Sequence, residues 1–115
     1  MTSRIRIDNV ITSDYIHVMD QRYELNGIMF VWDAAKARKN LSKHEITFEQ
    51  ATEVFFDPFF KVVDASPETE ARDAVIGMDT DWNLLYVIHI GFEDDCIRII
   101  SARKATRYER QHYED

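Results

Sequence analysis

The sequence is poor in the residues that build loops and disulfide scaffolds: it holds one cysteine, three glycines and two prolines among 115 residues. A single cysteine excludes an intrachain disulfide. Cys96 opens an apolar run, which favours a buried free thiol in a reducing compartment. The low glycine and proline content argues against disorder and against a loop-rich scaffold. The length and the hydrophobic content of 45% predict one domain with a real core.

Long apolar runs and clustered metal ligands are also absent. No run approaches the roughly 20 residues that span a bilayer. The N-terminus lacks the apolar centre of a signal peptide. Both absences predict a cytoplasmic protein without a membrane partner. There is no paired-cysteine motif and no His-x-x-x-His, so we expect neither a metal nor a cofactor. The histidines are scattered along the chain: His17, His44, His89 and His112.

The charge balance argues against a nucleic-acid ligand, but the distribution of the charges does not. The net charge is −7, whereas nucleic-acid binders usually carry a basic surface. The acids concentrate between residues 57 and 95. The bases concentrate in two other segments, 36–43 and 98–110, which folding could bring together on one face. These bases are Lys36, Arg38, Lys39 and Lys43, followed by Arg98, Arg103, Lys104, Arg107 and Arg110.

Capping signals predict three helices. Asp33 can cap a helix that ends near His44, with its carboxylate accepting a bond from the first turn. Thr47-Phe48-Glu49-Gln50 is a capping box that opens a second helix, which Asp57-Pro58 stops. Thr106-Arg107-Tyr108-Glu109 is another capping box and predicts a C-terminal helix as far as about Tyr113.

Alternating and apolar runs predict four strands between the second and third helices. The predicted strands cover residues 59–63, 72–78, 84–90 and 96–101. Short links between the last three give an antiparallel meander. The expected fold is therefore α+β, with two N-terminal helices, an antiparallel sheet of about four strands and a C-terminal helix. The aromatic residues assigned to its core are Phe30, Trp32, Phe48, Phe55 and Trp82.

The first 28 residues form a separate extension in this interpretation, and residues 29–115 form the main domain. Within the extension, residues 4–7 alternate as a half-buried strand does, and residues 15–19 suit a second short strand. Asn26-Gly27 predicts a turn. The extension is thus either an added strand or a flexible leader.

Several short motifs occur in a fixed order along the second part of the chain. They are Trp32-Asp33, Lys36, Asn40, Lys43-His44, Phe48-x-x-Ala51, Val54-Phe55-x-Asp57-Pro58, Arg72-x-x-x-Ile76-Gly77, Ile97-Arg98-Ile99-Ile100-Ser101-Ala102-Arg103 and Glu109-Arg110-x-x-Tyr113. In order and spacing they resemble the BrnT family of bacterial toxins, over roughly residues 29–115. The family usually has glycine after the Lys-His step. Here Glu45 stands in that place, so we expect a local difference in the backbone.

The resemblance implies a RelE-like fold and a ribonuclease of a type II toxin–antitoxin pair. Such a toxin cleaves mRNA, inhibits translation and is neutralised by a cognate antitoxin. The antitoxin supplies the DNA-binding element, for example a ribbon-helix-helix fold, and the two chains form a hetero-oligomer. Two other functions stay open. One is a catalytically degenerate BrnT-like protein that acts as a binding or regulatory module with a DNA-binding partner, and the other is an unrelated α+β interaction domain.

Metal-independent RNA cleavage needs a base for the 2′-hydroxyl, cations for the phosphate and an acid for the departing 5′-oxygen. The resemblance assigns phosphate binding and charge stabilisation to Arg72, Arg98 and Arg103. It makes Lys43 or His44, together with Glu49, candidates for proton transfer. The remaining predicted RNA contacts are Lys36, Lys39, Lys104 and Tyr113.

Several of these residues also have structural interpretations that the sequence leaves open. Arg98 lies inside a strand, where an arginine either pairs with a buried carboxylate or lines a groove. Arg103 is expected just past the strand end, where its guanidinium either binds a phosphate or is simply solvated. His44 suits a helix end because the dipole favours a cation there. Tyr113 either stacks on a base or anchors the last helix, and His89 is predicted to be a core residue.

Overall fold

A computed structural model describes residues 19–66, 72–91 and 96–115, and within them six strands form one sheet. The elements, in chain order, are β1 Asp20–Leu25, β2 Ile28–Asp33, α1 Ala34–His44, α2 Phe48–Thr52, a 3-10 helix Glu53–Phe56, β3 Lys61–Asp64, β4 Asp73–Met78, β5 Leu84–Gly91, β6 Cys96–Lys104 and α3 Arg107–Glu114. The strand order in the sheet is β1-β2-β6-β5-β4-β3. The strand predicted for residues 4–7, and that for 15–19 except Met19, lie outside the described residues.

The predicted layout of two leading helices and a four-stranded antiparallel sheet is wrong. Within the described residues, two strands precede α1 and the sheet has six strands. It is mixed, because β2 runs parallel to β6, with Met29 opposite Cys96 and Val31 opposite Arg98. No strand is predicted from the sequence at the apolar run around Phe30. In such a short apolar run, the spacing of the hydrophobic residues does not distinguish a buried strand from a buried helix segment. The division of the chain at residue 28 stays a prediction.

The predicted turn at Asn26-Gly27 is confirmed, and it joins β1 to β2 as a two-residue hairpin. Both residues have positive φ, 52° and 84°. Positive φ at both central positions is typical of the hairpin turn whose twist matches that of the strands. The register places Asp20 opposite Asp33 at the open end of the hairpin. The backbone N–H of Ala34 donates to the carbonyl of Met19 at 2.8 Å, which fixes this end to the start of α1.

The three predicted helix starts are confirmed. The carboxylate of Asp33 accepts from the backbone N–H of Lys36 at 3.1 Å. At α2, the hydroxyl of Thr47 accepts from the N–H of Gln50 while the Gln50 side chain accepts from Thr47. At α3, Thr106 and Glu109 make the same reciprocal pair. Each pair satisfies backbone donors that the first turn of a helix leaves without a partner.

The core lies between one face of the sheet and the layer formed by α1, α2 and the 3-10 helix. Its buried members are Phe30, Trp32, Ile46, Phe48, Ala51, Val54, Val75, Leu85, Val87, Ile99 and Ala102. Phe55 is partly buried against this cluster. The assignment of Trp82 to the core is wrong, because its side chain is 81% exposed. Trp82 has a positive φ of 65° in the turn between β4 and β5, which directs its ring into solvent.

A β-bulge at Ile100 interrupts the alternation of β6. Ile88 pairs with Ser101 and its neighbour His89 pairs with Ile99, so Ile100 is an extra residue in the ladder. Arg103 lies five positions after Arg98, an odd spacing that would otherwise place the two side chains on opposite faces. With the bulge, both lie on the face away from the core.

The first helix lies beside the part of β6 that β2 does not reach. The pairing of β2 with β6 ends at Val31 and Arg98, after which the chain turns into α1. The buried side chain of Asn40 then takes the place of a strand. Its Nδ2 donates to the carbonyls of Ala102 at 2.8 Å and Ile46 at 3.0 Å, and its Oδ1 accepts from the N–H of Ala102 at 3.0 Å.

Candidate active site

A basic cleft runs between α1 and β6. It consists of two adjoining depressions of about 330 and 310 Å³, which share Lys36 and Ile100. The first is lined by Lys36, Lys39, Asn40, Lys43, His44, Ile100 and Ser101. The second is lined by Asp20, Asp33, Lys36, Arg98, Ile99 and Ile100. Five of the residues that the sequence predicts for RNA binding or cleavage therefore meet here, namely Lys36, Lys39, Lys43, His44 and Arg98.

The helix period brings the three lysines of the cleft together. Lys36, Lys39 and Lys43 are three and four residues apart, so they lie along one side of α1. All three are exposed. The buried Asn40 stands in the same row and holds this side of the helix against β6. Ammonium groups presented along one wall attract an anionic chain that lies along the cleft.

His44 is half-buried at the last position of α1, beside Lys43. The helix ends there because Glu45 adopts the left-handed conformation, with φ 61° and ψ 30°. The N–H of Glu45 donates to the carbonyl of Leu41 at 2.9 Å. This is the backbone geometry that glycine favours. The imidazole lies at the C-terminal end of the helix.

Arg98 lines the other end of the cleft and is paired with Asp20 of β1. Its Nη1 and Nη2 donate to the two carboxylate oxygens at 3.2 and 2.6 Å. The arginine side chain is 23% exposed and that of Asp20 is 18% exposed. Both alternatives that the sequence leaves open for Arg98 thus occur together, since it pairs with a carboxylate and also lines a groove.

Arg103 lies away from the cleft, on the side of α3. It belongs to β6 itself, so the expectation that it follows the strand end is wrong. Its Nη1 and Nη2 donate to Glu109 at 2.8 and 2.9 Å, and its Cζ lies 4.2 Å from the centre of the Tyr86 ring. The hydrogen bonds that Arg103 donates to Glu109 raise the pKa of Arg103. Burial raises the pKa of Glu109, but bonds from Arg103 and Thr106 outweigh it and lower that pKa.

Arg72 precedes β4, near the same end of the sheet as Arg98. Asp73 pairs with His89 and Arg98 pairs with Ile90, so β5 lies between the two arginines. The backbone of Arg72 is tied to Ser66, whose Oγ accepts from its N–H at 2.9 Å and donates to its carbonyl at 3.0 Å. Arg72 is not among the residues that line the cleft.

The other predicted site residues lie elsewhere. Glu49 lines a separate depression on another side of α1 with Arg38 and Leu41. Lys104 is exposed at the end of β6. Tyr113 donates to the carboxylate of Asp57 at 2.7 Å and so anchors α3. Burial, followed by this bond, raises the pKa of Tyr113 to about 12.

His89 is half-buried and also lies outside the cleft. Its ring contacts Phe55 edge to face, with centroids 5.0 Å apart. Burial lowers the pKa of His89, against an opposing effect of the nearby Asp73 carboxylate. A neutral imidazole packed on an aromatic ring fits the predicted core role.

Two cleft residues, Asp20 and Ser101, were not predicted from the sequence as site residues. Asp20 lies in the part interpreted as an extension, and it meets Arg98 only through the pairing of β1, β2 and β6. Ser101 faces the same side as Arg98 because of the bulge. The sequence carries no signal for either placement, since both depend on strand pairing over long chain separations.

The described ranges contain no group of three or more histidine, cysteine or acidic side chains positioned to hold a metal ion. In the same ranges, none of the helices has the length and apolar character of a membrane span.

The fold and the cleft define a small protein with a cation-lined groove on a mixed sheet. Residues 32–109 match the family model for BrnT, a ribonuclease toxin of type II toxin–antitoxin systems. The chain belongs to this family. The match includes the lysines of α1, His44 and Arg98, and it begins after β1. No curated protein matches the chain.

A solved structure supports the same assignment. The crystal structure of the Brucella abortus ribonuclease toxin BrnT, at 1.1 Å resolution, superposes with a TM-score of 0.54 and 27% sequence identity. The match covers 66% of this chain and 94% of the Brucella chain. Nearly the whole Brucella toxin thus corresponds to about two thirds of this chain.

Proposed function

We propose that this protein is the toxin of a type II toxin–antitoxin pair and acts as a metal-independent endoribonuclease. In this proposal it cleaves mRNA in the cytoplasm and so inhibits translation. The observation that carries the proposal is the cleft between α1 and β6. In a chain with a net charge of −7, this groove gathers Lys36, Lys39, Lys43 and Arg98 beside a histidine. Such a local concentration of cations attracts a polyanion despite the overall charge.

The cleft offers groups for each part of the cleavage reaction. A base takes the proton from a ribose 2′-hydroxyl, the 2′-oxygen forms a bond to phosphorus, the bond from phosphorus to the 5′-oxygen breaks, and an acid gives a proton to the departing 5′-oxygen. His44 is the proposed proton-transfer group, because imidazole gains and loses protons near neutral pH. Lys43 and Arg98 are proposed to stabilise the charge on the phosphate. Lys36 and Lys39 hold the neighbouring phosphates of the RNA.

The arginines outside the cleft have different parts in the proposal. Arg72 lies near the end of the sheet where Arg98 stands, and it is proposed to contact RNA beyond the cleft. Arg103, Glu49 and Tyr113 are proposed to act on stability, and Lys104 on more distant RNA contacts. The engagement of Arg103 by Glu109 supports this division.

The proposed partner is a cognate antitoxin with a DNA-binding fold, which neutralises the toxin in a hetero-oligomer. A catalytically degenerate toxin that acts as a regulatory module is the second candidate. The observation that favours it is that Arg98 is already paired with Asp20 and Arg103 with Glu109. The two candidates differ in whether the purified protein cuts RNA.

The experiment compares RNA cleavage by the purified protein, free of antitoxin and in the presence of EDTA, with that of matched variants. We expect the wild type to cleave. His44→Ala should lower the rate at least about a hundredfold, because proton transfer contributes on that scale. Arg98→Ala should lower it about a hundredfold, through loss of charge stabilisation.

Two control variants change the same residue types outside the cleft. His112→Ala lies on α3, and Arg103→Ala breaks the other arginine–carboxylate pair. Both should keep the wild-type rate per folded molecule. Equal rates for Arg98→Ala and Arg103→Ala would contradict the assignment of the cleft. A wild type that inhibits no translation and cleaves no RNA, yet binds its antitoxin, would support the degenerate module instead.

A further inference from the structure

We infer that the carboxylate of Asp20 competes with an RNA phosphate for Arg98, so that β1 carries a built-in competitor of the substrate. The inference rests on the proposed function, because it assumes that RNA enters the cleft. It adds a residue that neither the family match nor the sequence motifs include, since the match begins at residue 32.

The geometry of the pair is that of a phosphate contact. Both terminal nitrogens of the Arg98 guanidinium donate, one to each oxygen of Asp20, at 3.2 and 2.6 Å. An arginine binds phosphate with the same two parallel bonds. A phosphate that binds Arg98 through this edge must therefore displace the Asp20 carboxylate.

The backbone holds Asp20 at this place. Asp20 begins β1 opposite Asp33, and the preceding carbonyl, of Met19, accepts from the N–H of Ala34 at 2.8 Å. Asp33 lines the same depression, but its carboxylate caps α1 through the N–H of Lys36. The Asp20 carboxylate is bonded to the guanidinium of Arg98 instead. The two acids of this depression thus have different partners. The partner of Asp20 is Arg98, which is a proposed RNA contact.

The environment of the pair favours exchange with a stronger anion. Lys36 lies in the same depression, and Lys39 and Lys43 continue the row along α1. A phosphodiester that replaces Asp20 gains these neighbouring cations as well. In the free protein, the carboxylate keeps Arg98 neutralised and lowers the attraction of this end of the cleft for short or isolated anions.

The test measures binding of a 2′-O-methyl single-stranded oligoribonucleotide, which lacks the attacking 2′-hydroxyl. Asp20→Asn removes the competing charge and nearly conserves the side-chain shape. Glu24→Gln is the matched control, because Glu24 is exposed on the same strand and changes the net charge equally. We expect Asp20→Asn to bind about tenfold more tightly than the wild type and Glu24→Gln about twofold at most.

The salt dependence and a double-mutant cycle separate competition from a structural effect. The plot of log affinity against log salt should steepen by about 0.7 in Asp20→Asn, because in the wild type the displaced Asp20 carboxylate takes up one counterion again and in the variant no carboxylate is displaced. In an Arg98→Gln background, Asp20→Asn should change binding no more than Glu24→Gln does. Asp20→Ser provides a second variant, and circular dichroism gives the folded fraction of each protein.

The outcomes distinguish the inference from the proposed function. A wild type that binds and cleaves RNA, with Asp20→Asn binding equally or more weakly, would overturn the inference alone. It would then make Asp20 a positioning residue for Arg98. Failure of every folded variant to bind or cleave RNA would overturn both. Tighter binding by Asp20→Asn that persists in the Arg98→Gln background would also reject competition at Arg98.

Discussion

The two ends of β6 carry the same kind of pair in different surroundings. Arg98 is joined to Asp20 and Arg103 to Glu109, each through two bonds and on the same face of the sheet. Arg103 also stacks on Tyr86, and Glu109 also accepts from the N–H of Thr106 at 2.9 Å. Arg98 and its partner instead line a depression that opens beside Lys36.

The difference shows which arginine–carboxylate pair can take part in binding. Glu109 closes the capping box of α3, so exchanging it for a phosphate would also uncap the helix. Asp20 is the first residue of β1, and its release from Arg98 leaves the hairpin register intact. A pair whose acid has a second structural role stabilises the fold, whereas a pair whose acid has none can exchange with a ligand.

The largest expected stability effect comes from separating the cleft wall from β6. Asn40→Ala removes three bonds and leaves the backbone of Ala102 and the carbonyl of Ile46 without these partners. Buried polar groups left unpaired cost about 1–3 kcal/mol each, so we expect a loss of about 3 kcal/mol in the free energy of unfolding. Urea denaturation at neutral pH measures it.

The control for this change is Asn83→Ala, outside the cleft. The Asn83 side chain donates one bond to Asp79, at 3.0 Å. Its loss should cost about 1 kcal/mol. If the two variants unfolded at the same urea concentration, α1 would not depend on Asn40 for its place beside β6.

A smaller effect should appear on the side of α3, through Tyr113. Burial raises the pKa of Asp57, but bonds from the Met78 N–H, the Tyr113 hydroxyl and the Phe59 N–H outweigh it and keep that pKa below 3.8. Tyr113→Phe removes a hydrogen bond to a charged acceptor. We therefore expect a loss of about 1.5 kcal/mol at pH 7.

The sign of the pH dependence follows from the lowered pKa of Asp57. An acid with a depressed folded pKa stabilises the fold above its unfolded value, and this contribution is lost as pH falls through the folded pKa. The difference between wild type and Tyr113→Phe should thus be constant from pH 5 to 7 and shrink below pH 3.8. Thermal melts across this range test it. Tyr108→Phe, at a side chain 79% exposed, should show no such trend.

The smallest expected effect is a gain in stability at the end of α1. Glu45 holds a left-handed φ of 61°, which costs a residue with a Cβ on the order of 1 kcal/mol. Glu45→Gly should raise the free energy of unfolding by somewhat less, about 0.5–1 kcal/mol, since glycine also gains entropy in the unfolded chain. Glu45→Ala, which removes the charge but keeps the Cβ, should show no gain. An equal gain in both variants would assign the effect to charge.

Local signals in the sequence predicted the three helix starts. The caps at Asp33, Thr47 and Thr106 depend on side chains within three residues of the helix start, so a short window contains the whole signal. The placement of the α1 lysines on one side of the helix was not predicted, although the helix period contains that information. The structure brings Lys36, Lys39, Lys43 and His44 to one depression.

The sheet and the arginine partners depend on pairing that a short window does not contain. The parallel contact of β2 with β6 joins Val31 to Arg98. The sequence neighbours of Val31 and of Arg98 carry no signal for this pairing. The ion pair between Asp20 and Arg98 spans 78 positions of the chain. Trp82 was misplaced for the opposite reason, since an aromatic residue usually signals a core but here the turn geometry directs it outward.

The extra residue in β6 has a consequence for sequence change in this strand. Deleting Ile100 would restore strict alternation, because Ser101 would follow Ile99 directly and still pair with Ile88. Ala102 would stay in the apolar layer and the guanidinium after it would stay on the opposite face. A one-residue deletion at this point should therefore be tolerated better than a deletion at a regularly paired position of the same strand, which would move every side chain that follows it to the other face.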